Sequence, residues 1–171
     1  MNNFNNDFEY GREYENKFLN FLQANNIVSK LNETEETDYY KKMFILSQYD
    51  IITNNNIKIE VKSDRRSDAL GSLFVEIIKK RIRGAKEWTF KSGLSLTTSD
   101  YYAFYSPNKS EPYIIDTKIL KQILKNNKYY EVTHITEKGD TIKYGGIILP
   151  VATLLRHTIA PGEFITRLKG V

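Results

Sequence analysis

Asp50, Glu60 and Lys62 lie close together in the chain and have the types and spacing that could bring a divalent cation and an ammonium group to one phosphate. Along residues 57–64 apolar and polar side chains alternate. Ile57, Ile59 and Val61 fall on one side of a strand, and Lys58, Glu60, Lys62 and Asp64 on the other. Upstream, Ile45, Tyr49 and Ile51 suit the same apolar side, which leaves Asp50 on the polar one. Asn54, Asn55 and Asn56 separate the two segments, and asparagine tolerates the left-handed backbone of a short turn. With a three-residue loop, Thr53 pairs with Ile57, Ile51 with Ile59 and Asp50 with Glu60. A two-residue loop sets Asp50 against Ile59 and breaks both faces, so the hydrophobic pattern selects the register that juxtaposes the carboxylates. Opposed like charges destabilise an antiparallel pair. A divalent ion relieves them, because Mg²⁺ binds through one or two carboxylates plus waters and phosphate oxygens. Mg²⁺, or Mn²⁺ in its place, is the expected cofactor. Lys62 on the same face is placed to orient or help deprotonate a water, or to stabilise charge on the phosphate. A metal and a lysine are a complete minimal apparatus for phosphodiester hydrolysis.

The elements that must hold these residues can be outlined from periodicity. Tyr14, Phe18, Phe21 and Leu22 give an amphipathic helix over about 7–23, ended by Asn25-Asn26. Residues 29–42 read as a solvated connection. Strands are expected over 44–53, 57–64, 73–78, 101–105, 113–115, 129–135 and 141–149, with helices over 117–125 and 151–157. The order points to an α/β (α+β) fold, a mixed central β-sheet with helices on its faces, in a single domain over 1–171.

Composition narrows the chemistry. The 171 residues contain no cysteine and two histidines, which excludes thiolate zinc sites, cysteine nucleophiles and histidine-rich metal sites. Any metal must therefore sit on oxygen ligands. The net charge of +4 gives a mild bias toward polyanions, a class that includes DNA, and by itself proves nothing more. No apolar run is long enough to span a bilayer, so the expectation is no membrane partner and a cytoplasmic, intracellular location, the host cytoplasm for a viral protein.

Asp50, nine intervening residues and then Glu60-Val61-Lys62 resemble the PD-(D/E)xK nuclease superfamily, whose signature is an acid on one hairpin strand and (Asp or Glu)-x-Lys on the next. Tyr49 stands where the eponymous motif has proline. The resemblance implies a restriction-endonuclease-like core, Mg²⁺-dependent deoxyribonuclease activity and a further glutamate on the first helix. Glu15 is the choice for that role, since it aligns with Phe18, Leu19 and Leu22, whereas Glu13 aligns with Asn16, Lys17 and Asn20. The spacing of Glu15, Asp50, Glu60 and Lys62 also resembles the phage Holliday-junction resolvase branch. A homodimer is a further possibility. The expected catalytic set is thus Asp50, Glu60, Lys62 and Glu15, with metal positions at Asp50, Glu60, Val61 and Glu76.

Glu76 has two readings, contact with the metal or its water, or a buried pair with an arginine. Arg65, Arg66, Lys79, Lys80, Arg81 and Arg83, with Lys86 beyond them, are expected to hold phosphates, although charge runs are commonly solvated faces. Glu15-Asn16-Lys17 and Asp116-Thr117-Lys118 also match (Asp or Glu)-x-Lys, but lie on a helix or at a helix start, where surface chemistry and the helix dipole explain them. The alternative functions are a non-cleaving DNA-binding protein on a nuclease-derived fold and a protein-interaction module with an incidental acidic hairpin.

Overall fold

The first helix follows from its apolar spacing. Tyr14, Phe18 and Leu22 recur every four residues and all are buried. In the computed structural model, which describes residues 3–46, 48–64, 67–106, 108–135 and 141–170, this helix, α1, spans Asn3–Ala24. Asn25 closes it by donating its side-chain amide to the Phe21 carbonyl at 2.8 Å, and Asn26 turns the chain away with a φ of 62°.

The segment read as a solvated connection instead holds β1 (Ser29–Leu31) and the start of α2 (Tyr39–Leu46). Asp38 opens α2, its carboxylate accepting from the Lys41 N–H at 2.9 Å and its carbonyl from the Lys42 N–H at 2.8 Å. The strand expected over 44–53 is therefore shortened to β2, Ile51–Thr53. A short apolar run such as Phe44-Ile45-Leu46 has no periodicity that separates strand from helix, and the Asp38 cap decides between them.

β2 turns into β3 (Lys58–Ser63) through the asparagine triplet, with the Thr53 N–H donating to the Ile57 carbonyl at 3.0 Å and Asn56 at a φ of 60°. Ile51 faces Ile59, so the register is the one that a three-residue loop requires.

The chain continues through α3 (Ser67–Leu70), β4 (Ser72–Arg83), β5 (Lys86–Lys91), a 3₁₀ turn at Gly93–Ser95, β6 (Tyr101–Tyr105) and β7 (Tyr113–Asp116). Asp116 caps α4 (Thr117–Leu124) by accepting from the Lys118 and Ile119 N–H groups. Then come β8 (Tyr129–Ile135), β9 (Thr141–Pro150), α5 (Val151–Leu155) and α6 (Pro161–Lys169). Sequence reading missed β1, α2, α3, β5 and α6. For α6 the signals were present: Pro161 opens its first turn and Gly170 ends it with a φ of 71°.

The strands form two sheets, where a single central sheet was expected. One is mixed and five-stranded, in the order β1-β2-β3-β6-β7, with β3 and β6 parallel. The other is antiparallel, in the order β5-β4-β9-β8. Alternation on β6 divides the core: Ala103 and Tyr105 pack with Phe18, Ile59, Val61 and Phe164, while Tyr102 and Phe104 pack with Leu73, Val75, Ile147 and Leu149 of the second sheet. Glu60 and Lys62, register partners of Tyr102 and Phe104, thereby face the second sheet, whereas α1 packs on the opposite face. The architecture is α+β, and among the described residues no helix is long and apolar enough to cross a membrane.

Candidate active site

Asp50 immediately precedes β2 and is fixed by its backbone. Its N–H donates to the Ile59 carbonyl at 3.0 Å and its carbonyl accepts from the Asn32 N–H at 2.7 Å. Its carboxylate accepts from the Val61 N–H at 2.7 Å. Asn32, in the segment expected to be a solvated linker, is itself buried and donates its side-chain amide to the Ile45 carbonyl at 3.0 Å and the Tyr49 carbonyl at 2.9 Å. It ties the end of α2 to the residue before Asp50. Removing that amide takes the Asn32 donor from the Tyr49 carbonyl and leaves the Ile45 carbonyl with the Gln48 N–H at 3.3 Å, at about 1–3 kcal/mol for a buried unsatisfied group. Asn32→Ala is therefore expected to lower the melting temperature by roughly 3–8 °C. An unchanged melting curve would mean that water replaces the amide without loss.

Glu60 is 4% exposed, and Lys62 Nζ lies 2.5 Å from Glu60 Oε1 and 4.0 Å from Asp50 Oδ2. Burial, reinforced by the Asp50 charge and opposed by Lys62, pushes the Glu60 carboxyl up to about 7. For Lys62, burial disfavours the ammonium, but the two carboxylates outweigh it and raise its proton affinity above the ordinary lysine range. Nearly half of this side chain is nonetheless exposed, so solvent screens the pair. The second oxygen of Glu60 lies 3.4 Å from the Thr97 hydroxyl, which is also 2.8 Å from the Gln48 carbonyl and has one proton to donate between them.

These groups line an open cleft of about 280 Å³ together with Leu46, Phe74, Glu76, Ser92 and Tyr102. The space is large enough for several waters. Glu76 enters from β4 because Ile77 is an extra residue on that strand: Glu76 faces Gly146 while Ile78 faces Gly145. Ile78, expected on the face of Glu76, is thus turned to the other side. The Ile77 carbonyl accepts from the Ser92 N–H at 2.9 Å and from the Ser95 hydroxyl, and the Ser92 hydroxyl donates to Glu76. Glu76 therefore has Ser92 as a hydrogen-bond donor. Gly93 is required here, since with a φ of 47° an added Cβ would lie 2.4 Å from the Glu76 carbonyl oxygen.

The helix phase of α1 agrees with expectation, Glu13 being exposed and Glu15 partly buried. The Glu15 carboxyl is raised by burial and by Asp50, and it pairs with Arg12 at 2.8 Å. It approaches the site electrostatically without forming part of the cleft wall. The basic run does not act as one group. Lys79, Arg81 and Arg83 share the Glu76 face of β4, whereas Lys80 points to the other and pairs with Glu131 at 2.8 Å. Arg65 and Arg66 lie outside the described residues. Asp64 accepts from the Phe74 N–H at 3.3 Å, a role in the loop.

One residue outside the expected set is also part of the site. The Tyr102 hydroxyl is, among the described residues, the buried side-chain atom left without a hydrogen-bond partner, and burial and then Glu60 raise its pKa. No signal in the sequence distinguishes it from the other tyrosines of β6.

The donor set suits a hard divalent cation. Asp50 and Glu60 supply oxygens, and the cleft has room for retained waters. Among the described residues no three carboxylate or imidazole groups converge as a ready-made metal cluster, so Glu76 stands apart from the Asp50–Glu60 pair. Comparison with protein-family models, curated proteins and solved structures gives no match, so the reading of this cleft rests on its own residues.

Proposed function

We propose that this cleft is the active site of a divalent-metal-dependent deoxyribonuclease with a PD-(D/E)xK, restriction-endonuclease-like core, hydrolysing DNA phosphodiester bonds and suited to branched substrates such as four-way junctions. The observation that carries the reading is the hairpin register, which sets a buried glutamate, a second carboxylate and a lysine around one opening. Asp50 and Glu60 would hold Mg²⁺ or Mn²⁺, and the Val61 N–H fixes one Asp50 oxygen. The bound ion would supply Lewis-acid polarisation of the phosphate and a more acidic water. Lys62, held protonated between two carboxylates, is suited to stabilising negative charge on the phosphate rather than to acting as a base. Glu15 adds negative potential that favours a cation at Asp50.

The direct test is incubation of the intact chain with Mg²⁺ or Mn²⁺ and linear, circular, single-stranded and four-way-junction DNA. Cleavage that stops on chelation is expected. Binding without cleavage on every substrate would instead favour a non-cleaving DNA-binding protein. In the same assay Glu15→Gln should reduce metal-dependent activity by about tenfold, one lost charge interaction of about 1.4 kcal/mol. Glu13→Gln should leave it near normal. Equal effects would remove Glu15 from the site.

A further inference from the structure

The bulge at Ile77 also determines what lies beside the cleft. Residues directly opposite in neighbouring strands point to the same face of a sheet. The row containing Glu76 and Gly146 ends in Tyr130. The next row on that face holds Phe90, Lys79, Tyr144 and Val132, and the one after it Trp88, Arg81 and Ile142. The Lys79 ammonium sits over the Tyr144 ring at 5.4 Å, which places both side chains on this face. Successive rows are separated by roughly 7 Å, two strand residues. Phe90 is 51% exposed and Trp88 42% exposed.

We infer that this face is a stacking platform for unpaired bases, which leads a single-stranded or frayed segment of nucleic acid toward the cleft. Aromatic rings in water on an open sheet are unfavourable unless something covers them, and here cations are interleaved with them. A polyanion with exposed bases satisfies both, with rings stacking on bases and Lys79 and Arg81 meeting phosphates. Duplex DNA offers the phosphates but keeps its base faces stacked internally. A second copy of this chain fits less well, because a two-fold interface would bring the cation-bearing rows against themselves. The assignment of substrate class depends on the nuclease reading only for the direction of the strand; the binding face stands by itself.

Trp88 is the sole tryptophan of the chain, so its emission reports directly on this face. The intact protein, in chelator to suppress cleavage, is titrated with a short oligothymidylate and with a blunt duplex. The expected result is saturable quenching by the single strand and little by the duplex. Phe90→Ala should weaken the single strand by roughly 5- to 150-fold, with duplex affinity nearly unchanged. Asp50→Asn should quench like the parent. Single-strand binding that leaves Trp88 emission unchanged and ignores Phe90→Ala overturns the platform, as does self-association abolished by Phe90→Ala without quenching. Cleavage without Trp88 quenching strikes the platform and leaves the nuclease reading. Quenching without cleavage of any substrate supports the platform and strikes the nuclease reading.

Discussion

Replacing Asp50 or Glu60 by alanine is expected to lower DNA cleavage at saturating substrate by about a thousandfold or more, since each change removes a ligand on which several kcal/mol of charge stabilisation depends. Lys62→Ala is expected to cost about 10²–10³-fold, the magnitude typical of losing one preorganised donor to a developing negative charge. The three effects should be far from additive, because the lysine bridges the same two carboxylates. DNA binding in Ca²⁺ should persist in all three variants, as phosphate attraction resides in lysines and arginines elsewhere on the surface. Loss of Lys62 leaves a buried carboxylate without its cation, so folding must be verified by circular dichroism before its rate is interpreted. Full activity in Glu60→Ala would defeat the proposed site outright, and a loss confined to binding would move the lesion from chemistry to affinity.

The hairpin was legible because two independent constraints agreed: alternation on 57–64 and an asparagine loop whose third residue accepts positive φ. Where only one constraint was available, reading failed. The apolar run before Asp50 belonged to a helix, and Asp38, four residues upstream of Lys42, was the overlooked signal. The face taken by Glu76 was illegible for a different reason. A bulge adds one residue and inverts every later side chain, yet Ile77 has no composition that announces it, and its carbonyl is satisfied by serines fifteen or more residues away. The same inversion set Lys79 and Arg81 beside the cleft and turned Lys80 toward Glu131. Tertiary pairing also split an expected single sheet in two, since β4 and β9 find each other across a long stretch of sequence. Asn32 and Tyr102 owe their roles to burial alone, which no local pattern encodes.

Glu60→Gln is expected to abolish cleavage while removing much of the pH dependence of stability. In the folded chain the Glu60 carboxyl is pushed up to about 7 from an ordinary 4.5 by burial first, with Asp50 adding and Lys62 opposing. The native state therefore favours the neutral acid. Its contribution to stability is fully present below about pH 4.5 and is lost as the pH rises through 7, because the unfolded chain releases its proton earlier. At about 1.4 kcal/mol for each pKa unit, the loss is of order 3 kcal/mol by mildly alkaline pH. Glutamine is neutral throughout, so the melting temperature of the variant minus that of the parent should rise by roughly 5 °C or more between acid and mildly alkaline pH. Lys62 loses its nearest partner in the variant, which shifts the absolute value of that difference, while Asp50 still favours its ammonium against burial. Added Mn²⁺ at mildly alkaline pH should raise the melting temperature of the parent and leave the variant where it was, since only the parent keeps both carboxylates for the ion. A difference that stays flat with pH would show that Glu60 is ionised at ordinary cost, and equal stabilisation of both proteins by Mn²⁺ would place the cation elsewhere.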